Sequence, residues 1–271
     1  KSVIKAAAGG TTKDVAVTAD SKSTVTTKSV VGALSISGAG GAGVSVARIN
    51  QDTTASVTDS EITDTNTLVQ ATGNSDITTV GIGAAIAGNV AVSGNVAVNI
   101  IGNNVDASVA RSTLTSTGNI GVLANGREDL GNYAGVVGLS ATEAGAGIGI
   151  STSYNEINGT TAATVTDSSL KADGTDDAAV ALTQSMDKDG VKTETKDGDQ
   201  IVSDKRKGVV TAAYGQHDLE SVAVTGGIGA SPTVSGGVAG TITVNKIGGS
   251  TKATVTNTAI NETRTAKANA D

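Results

Sequence analysis

The chain has 271 residues, a net charge of −7, 36 glycines, one proline, three tyrosines, and no phenylalanine, tryptophan or cysteine. An ordinary globular core is excluded, because such cores rely on rings that bury about 150–250 Å² each; disorder is disfavoured by the abundance of β-branched residues and the modest charge. The acidic balance, with no continuous basic patch, argues against a nucleic-acid partner.

The predicted elements are short and recur. "DVAVTAD" (14–20) alternates apolar and polar residues with period two, the pattern of a half-buried strand. A small-residue segment, "GALSISGAGGAGVSV", follows and runs into "GVSVARI" (43–49), whose apolar anchor is Val46. Next comes the octet "ASVTDSEI" (55–62), which places Ala55, Val57 and Ile62 on one face if Asp59 and Ser60 make a corner. Asp, Asn and Ser suit corners because short polar side chains satisfy local backbone groups and tolerate left-handed conformations. "NTLVQATG" (66–73) then resumes the phrase that opened at residue 14.

The same order returns three times. The octet reappears at 107–114, 163–170 and 253–260, so its first alanines, Ala55, Ala107, Ala163 and Ala253, are 52, 56 and 90 residues apart. The anchors recur as Val98, Ile150 and Val244. The 56-residue step reads as 52 with four extra residues around Asn155–Asn158, and the 90-residue step as one unit carrying a long insertion. Glycine- and asparagine-rich points such as "GNSD", "GNNV", "NGRE" and "IGGS" read as further corners. Helical periodicity is weak throughout, and no segment, Val80–Ile101 included, reaches the roughly 18 apolar residues of a membrane span.

Such a repeat predicts an all-β fold, a right-handed parallel β-helix (β-solenoid) with a period of about 52 residues and two coils per repeat. Residues 1–271 then form one solenoid segment of a longer protein, roughly ten coils in all at about 4.8 Å per coil. The small-residue segments are expected on a narrow side of the coil, where only Gly, Ala and Ser fit between approaching walls.

Repeats of the type "VAVNIIGNNVDASVARSTLTSTGNIGVLA" resemble those of large secreted exoproteins of Gram-negative bacteria, the fusobacterial leukotoxin and filamentous-haemagglutinin-like family. The resemblance implies type V (two-partner or autotransporter) secretion, an extracellular or outer-membrane-surface location, and a cytotoxic or adhesive role in virulence. It carries no catalytic residues onto this chain.

Candidate chemistry is sparse. Residues 186–207, "MDKDGVKTETKDGDQIVSDKRK", hold 12 charges in 22 positions and form a predicted insertion or loop between repeats. As a protrusion it offers Asp187, Asp189, Glu194, Asp197, Asp199, Lys205, Arg206 and Lys207 to a partner. The carboxylates could ligate calcium, yet the closing Glu of an EF-hand loop is missing, so no cofactor or metal is expected. His217 is the single histidine and lies beside Asp218, so any Ser-His-Asp triad would have to use it. A polysaccharide-active β-helix enzyme would need aromatics, or acids with bases, on one coil face; Tyr133, Tyr154 and Tyr214 are scattered in the sequence. The expectation is therefore no enzyme, but a structural or adhesive segment of a surface-exposed adhesin or toxin. Its partners would be a host cell-surface receptor or matrix and neighbouring coils. The alternatives are the polysaccharide-active enzyme and, from "SVAVTGGIGASPTVSGG" (221–237), the head of a trimeric autotransporter adhesin.

Overall fold

The computed structural model describes residues 2–5, 14–141, 145–175, 180–181, 185–187, 190–192, 205–230 and 235–261. Their regular structure is all strand. Eight strands are 21 residues long: β2 (Val15–Ser35), β3 (Gly38–Thr58), β5 (Thr67–Ala87), β6 (Val90–Ala110), β8 (Ile120–Ser140), β9 (Ala146–Thr166), β15 (Val209–Gly229) and β16 (Gly236–Thr256). Short strands lie between them: β1 (Ser2–Lys5), β4 (Ser60–Asp64), β7 (Thr113–Ser116), β10 (Ser169–Ala172) and β17 (Ala259–Ile260). Between β10 and β15 run four more, β11 (Val180–Ala181), β12 (Ser185–Asp187), β13 (Gly190–Lys192) and β14 (Lys205–Arg206).

Three parallel sheets result, β2-β5-β8-β15, β3-β6-β9-β16 and the short β1-β4-β7-β10-β17. We call them the front, back and end sheets. Each coil goes out along a front strand, turns, and returns along a back strand. It then bends through a short end strand into the next front strand. Val15 pairs with Thr67 and Gly38 with Val90, and Thr27 meets Thr79 across 52 residues. A 52-residue step therefore makes one coil rather than two, and four long coils stack where about ten were expected. A 21-residue strand spans about 70 Å, so the coil is a flattened plate and not a slender rod.

The mistaken subdivision has a physical origin. "GNSD", "GNNV", "NGRE" and "IGGS" are not corners; they lie within β5, β6, β8 and β16. Gly73, Gly126 and Gly249 make room for side chains of the opposite sheet, whereas Gly102 and Gly248 face outward. A Cβ on Gly73 would sit 2.6 Å from Val105 Cγ2, and one on Gly126 would collide with Thr161 Oγ1. Glycine here reports a large neighbour across the interior. The four expected extra residues are also placed differently. Asn155 and Ile157 pair with Asn99 and Ile101 in unbroken register, and the added length lies instead between Ser140 and Ala146 and between Ser116 and Ile120.

The octet behaves as its pattern requires. Val57 pairs with Val109, Val109 with Val165, and Val165 with Val255, giving one column through the stack. Val109 and Val165 are fully buried, together with Ile62, Leu114 and Leu170 of the end sheet. The corner residue is left-handed in every coil, with φ of 50° at Asp59, 48° at Arg111, 49° at Asp167 and 47° at Asn257. Arg111 is an unusual choice for that conformation, and its guanidinium forks onto Asp59 at 2.8 Å through Nε and Nη2. That contact holds the exposed Asp59 carboxyl below the usual carboxylate range.

The anchor strands depart from expectation. Val46 and Val244 point outward and are exposed, while Ala47 and Asn99 face the interior. Ile150 does not share their column, since Tyr154 pairs with both Val98 and Val244. Far from the end sheet, the alternation is inside-out: small residues within, Val, Ile and Leu without. The interior there is a cluster of Ala39, Ala85, Ala87 and Ala91, with Ala33 packed against it. Ala85→Phe should lower the melting temperature, at about 1–3 kcal/mol of overpacking. Ala42→Phe should lower it less, because Ala42 faces outward from the plate. Equal melting temperatures for the two variants would contradict this arrangement.

Candidate functional site

Register assembles a polar field on the outer surface of the front sheet that no local motif announces. Asp76 pairs with Asp129 and Asp129 with Asp218, so three carboxylates form a row across neighbouring strands. Strands about 4.8 Å apart set the spacing of the row. Arg127 Nη2 donates to Asp129 Oδ2 at 3.1 Å, Gln216 Nε2 to Asp218 Oδ2 at 2.7 Å, and Thr78 Oγ1 to Asp76 Oδ1 at 3.4 Å. On one side lie Tyr133 and Glu220, joined by a 2.9 Å hydrogen bond from the phenol. On the other lies Tyr214, paired with Asn125.

Electrostatics within the row follow from this crowding. Partial burial raises the Asp129 carboxyl above its usual range; Arg127 opposes that shift, and the flanking Asp76 and Asp218 reinforce it. Tyr133 is also raised, chiefly because its phenol donates to Glu220. Crowded carboxylates beside a guanidinium and phenols can hydrogen-bond polyhydroxylated or cationic ligands. Among the described residues, no group of three His, Asp or Glu side chains is placed to hold a metal ion.

A second polar system lies inside the plate. Asn99 Nδ2 donates to Asn155 Oδ1 and Asn155 Nδ2 to Asn245 Oδ1, each at 2.8 Å, while Thr79 Oγ1 donates to Asn99 Oδ1 at 2.6 Å. Such a ladder satisfies buried amides between layers. Beside it, in the column Ser23, Ser75, Glu128 and His217, the Glu128 carboxylate meets the His217 imidazole through Oε2 and Nδ1. Glu128 is fully buried. Burial raises its carboxyl above the usual range, and the imidazole, then a hydrogen bond with Asn103, pull the other way. Gly159 and Gly249 stand opposite, where any Cβ would strike Glu128 or His217.

The residues singled out from the sequence fare unevenly. His217 faces inward to Glu128, whereas its neighbour Asp218 lies on the opposite surface, so they do not form a pair. Asp187 closes β12, which pairs antiparallel with β13, and its side chain lies outside the described residues. Asp189, Glu194, Asp197 and Asp199 lie outside the described residues altogether. Lys205 and Arg206 form β14, antiparallel to β11, and Arg206 and Lys207 are exposed. Two of the scattered tyrosines, Tyr133 and Tyr214, share the front face. The aspartate row was missed because its members stand 53 and 89 residues apart. Aligning the repeats through their strand starts, instead of through the octets, would have revealed it.

No protein-family model matches the chain, and neither a curated protein nor a solved structure matches it.

Proposed function

We propose that this chain is a structural and adhesive segment of a secreted or surface-exposed bacterial exoprotein, of the leukotoxin and filamentous-haemagglutinin-like kind. In this reading the coil is right-handed and type V secretion delivers it to the cell surface. The plate presents side-chain columns to a host receptor or matrix. The observation that supports it best is the front-face row of Asp76, Asp129 and Asp218 beside Tyr133, set in a sheet whose register is continuous through four strands. A rigid, periodic, polar surface suits recognition of an extended repeating ligand. Beads coated with the protein should adhere to epithelial cells, and soluble protein should compete. The double variant Asp129→Asn/Asp218→Asn should reduce adhesion several-fold while circular dichroism shows its strands retained. Adhesion no greater than that of albumin-coated beads would overturn the proposal.

A second reading, a polysaccharide-active enzyme, draws support from the same row, since glycoside hydrolysis uses paired carboxylates, one of them with a raised pKa. Incubation with acidic and neutral polysaccharides separates the two. Release of new reducing ends, abolished by Asp129→Asn, would establish turnover in place of adhesion.

A further inference from the structure

The inside-out alternation far from the end sheet leaves two broad apolar surfaces, one on each side of the plate. We propose that the back one is a homodimer interface, on which a second copy of this chain docks face to face. Three observations select that surface and that occupant.

Size is the first. On the back sheet the apolar field runs from the turn to the column Val46, Val98, Tyr154 and Val244, nine residues along each of four strands. At about 3.3 Å per residue and 4.8 Å per strand this covers roughly 30 by 19 Å, or about 570 Å². Two copies would bury about 1,100 Å², past the roughly 1,000 Å² that a specific interface needs. The front field is shorter, ending at the column of Lys28, Val80, Tyr133 and Val222. Its seven residues per strand offer about 440 Å², so pairing two fronts falls below that size.

Shape is the second. Ile150 protrudes, 47% exposed, between Gly94 and Gly240 in the same column. A two-fold axis along the strands, between β6 and β9, sets the second strand of one copy against the third of the other. Ile150 then faces Gly94, and by symmetry Gly94 faces Ile150. The same operation sets Val96 against Thr152 and, in the outer strands, Val238 against Gly40. Small residues lie opposite large ones at these pairs, while Val92 meets Ile148 and Val44 meets Ile242 as apolar contacts, an arrangement each copy repeats for the other as an isologous dimer requires.

The surroundings are the third. Past the field, the column of Arg48, Ile100, Glu156 and Lys246 is polar, and Lys246 Nζ already donates to Glu156 Oε1 at 2.6 Å. Under the same axis, Arg48 of one copy meets that neutralised pair and not a lone cation, as suits a polar rim. A lipid bilayer is the poorer occupant. β3 and β16 border the sheet among the described residues, and open strand edges leave backbone groups unsatisfied in hydrocarbon.

Sedimentation velocity of the full 271-residue chain tests the idea. At tens of micromolar the wild type should sediment as a dimer. Ile150→Lys should raise the dissociation constant at least about tenfold, and Val224→Lys, on the front face, should not. Circular dichroism checks that the variants keep their strands; Thr152→Lys replaces Ile150→Lys if the latter misfolds. A monomeric or trimeric wild type would overturn the proposal, as would equal dimerisation by the Ile150 and Val224 variants. So would binding to phosphatidylcholine–phosphatidylglycerol vesicles that Ile150→Lys abolishes in a protein that never dimerises.

Discussion

Gly138→Val is expected to remove most of the stability of the plate, and Gly138→Ala a substantial part of it. In the column Ala33, Ala85, Gly138 and Gly227, the side chain shrinks from methyl to hydrogen as the stack proceeds. The walls close accordingly. A Cβ on Gly138 would lie 2.5 Å from the carbonyl oxygen of Ile148 and 2.7 Å from its amide nitrogen. Those atoms belong to the back-sheet backbone and cannot rotate aside, so the two sheets would have to separate. Overpacking of this kind costs about 1–3 kcal/mol when side chains can adapt. Here they cannot, and valine adds two further methyl groups. A domain stable by about 5–15 kcal/mol has little margin for such a loss. Gly135→Ala supplies the control, since that glycine faces outward and nothing lies within 4 Å of its added Cβ. Urea unfolding of the three variants is the measurement. Indistinguishable midpoints would mean that the sheets do not approach this closely.

The second large effect concerns Glu128. His217→Ala is expected to destabilise the protein by about 3–5 kcal/mol at neutral pH, because it leaves a buried carboxylate without its partner. The pH dependence identifies the cause. Burial raises the folded-state pKa of Glu128 above that of the unfolded chain, so folding takes up a proton between the two values. The penalty is therefore full above the folded pKa and fades as pH falls toward the ordinary glutamate range. Removing His217 raises the folded pKa further, so acidification should restore more stability to the variant than to the wild type. Glu128→Gln in the His217→Ala background should recover most of the loss at pH 7. If the double variant is no more stable than His217→Ala, the cost lies in packing and not in charge.

The sequence showed the architecture where identical residues must stack and hid it where unlike residues complement each other. Val57, Val109 and Val165 repeat because each packs on the copy in the next layer, and repetition is visible in a string of letters. The octet corner was legible for the same reason, even with Arg111 in place of Asp. The interior of the plate follows another rule. Gly159 exists because Glu128 faces it, and Gly249 because His217 does, and pairs across two sheets leave no periodic trace. The glycines consequently read as turns and divided one coil into two. The candidate site was hidden by a related effect. Asp76, Asp129 and Asp218 belong to strands whose separations, 53 and 89 residues, differ from those of the octets, because turns of different length intervene.

Confinement of length changes to the connections between long strands bears on how such a protein changes over generations. Three successive front-sheet steps, from Val15 to Thr67, to Ile120 and to Val209, differ in length yet preserve every residue-to-residue pairing along 21 positions. In-frame duplication or loss of a whole unit by recombination would consequently preserve the fold. Each added unit would thicken the plate by one strand spacing, about 4.8 Å, and extend both outer surfaces by one more row open to selection.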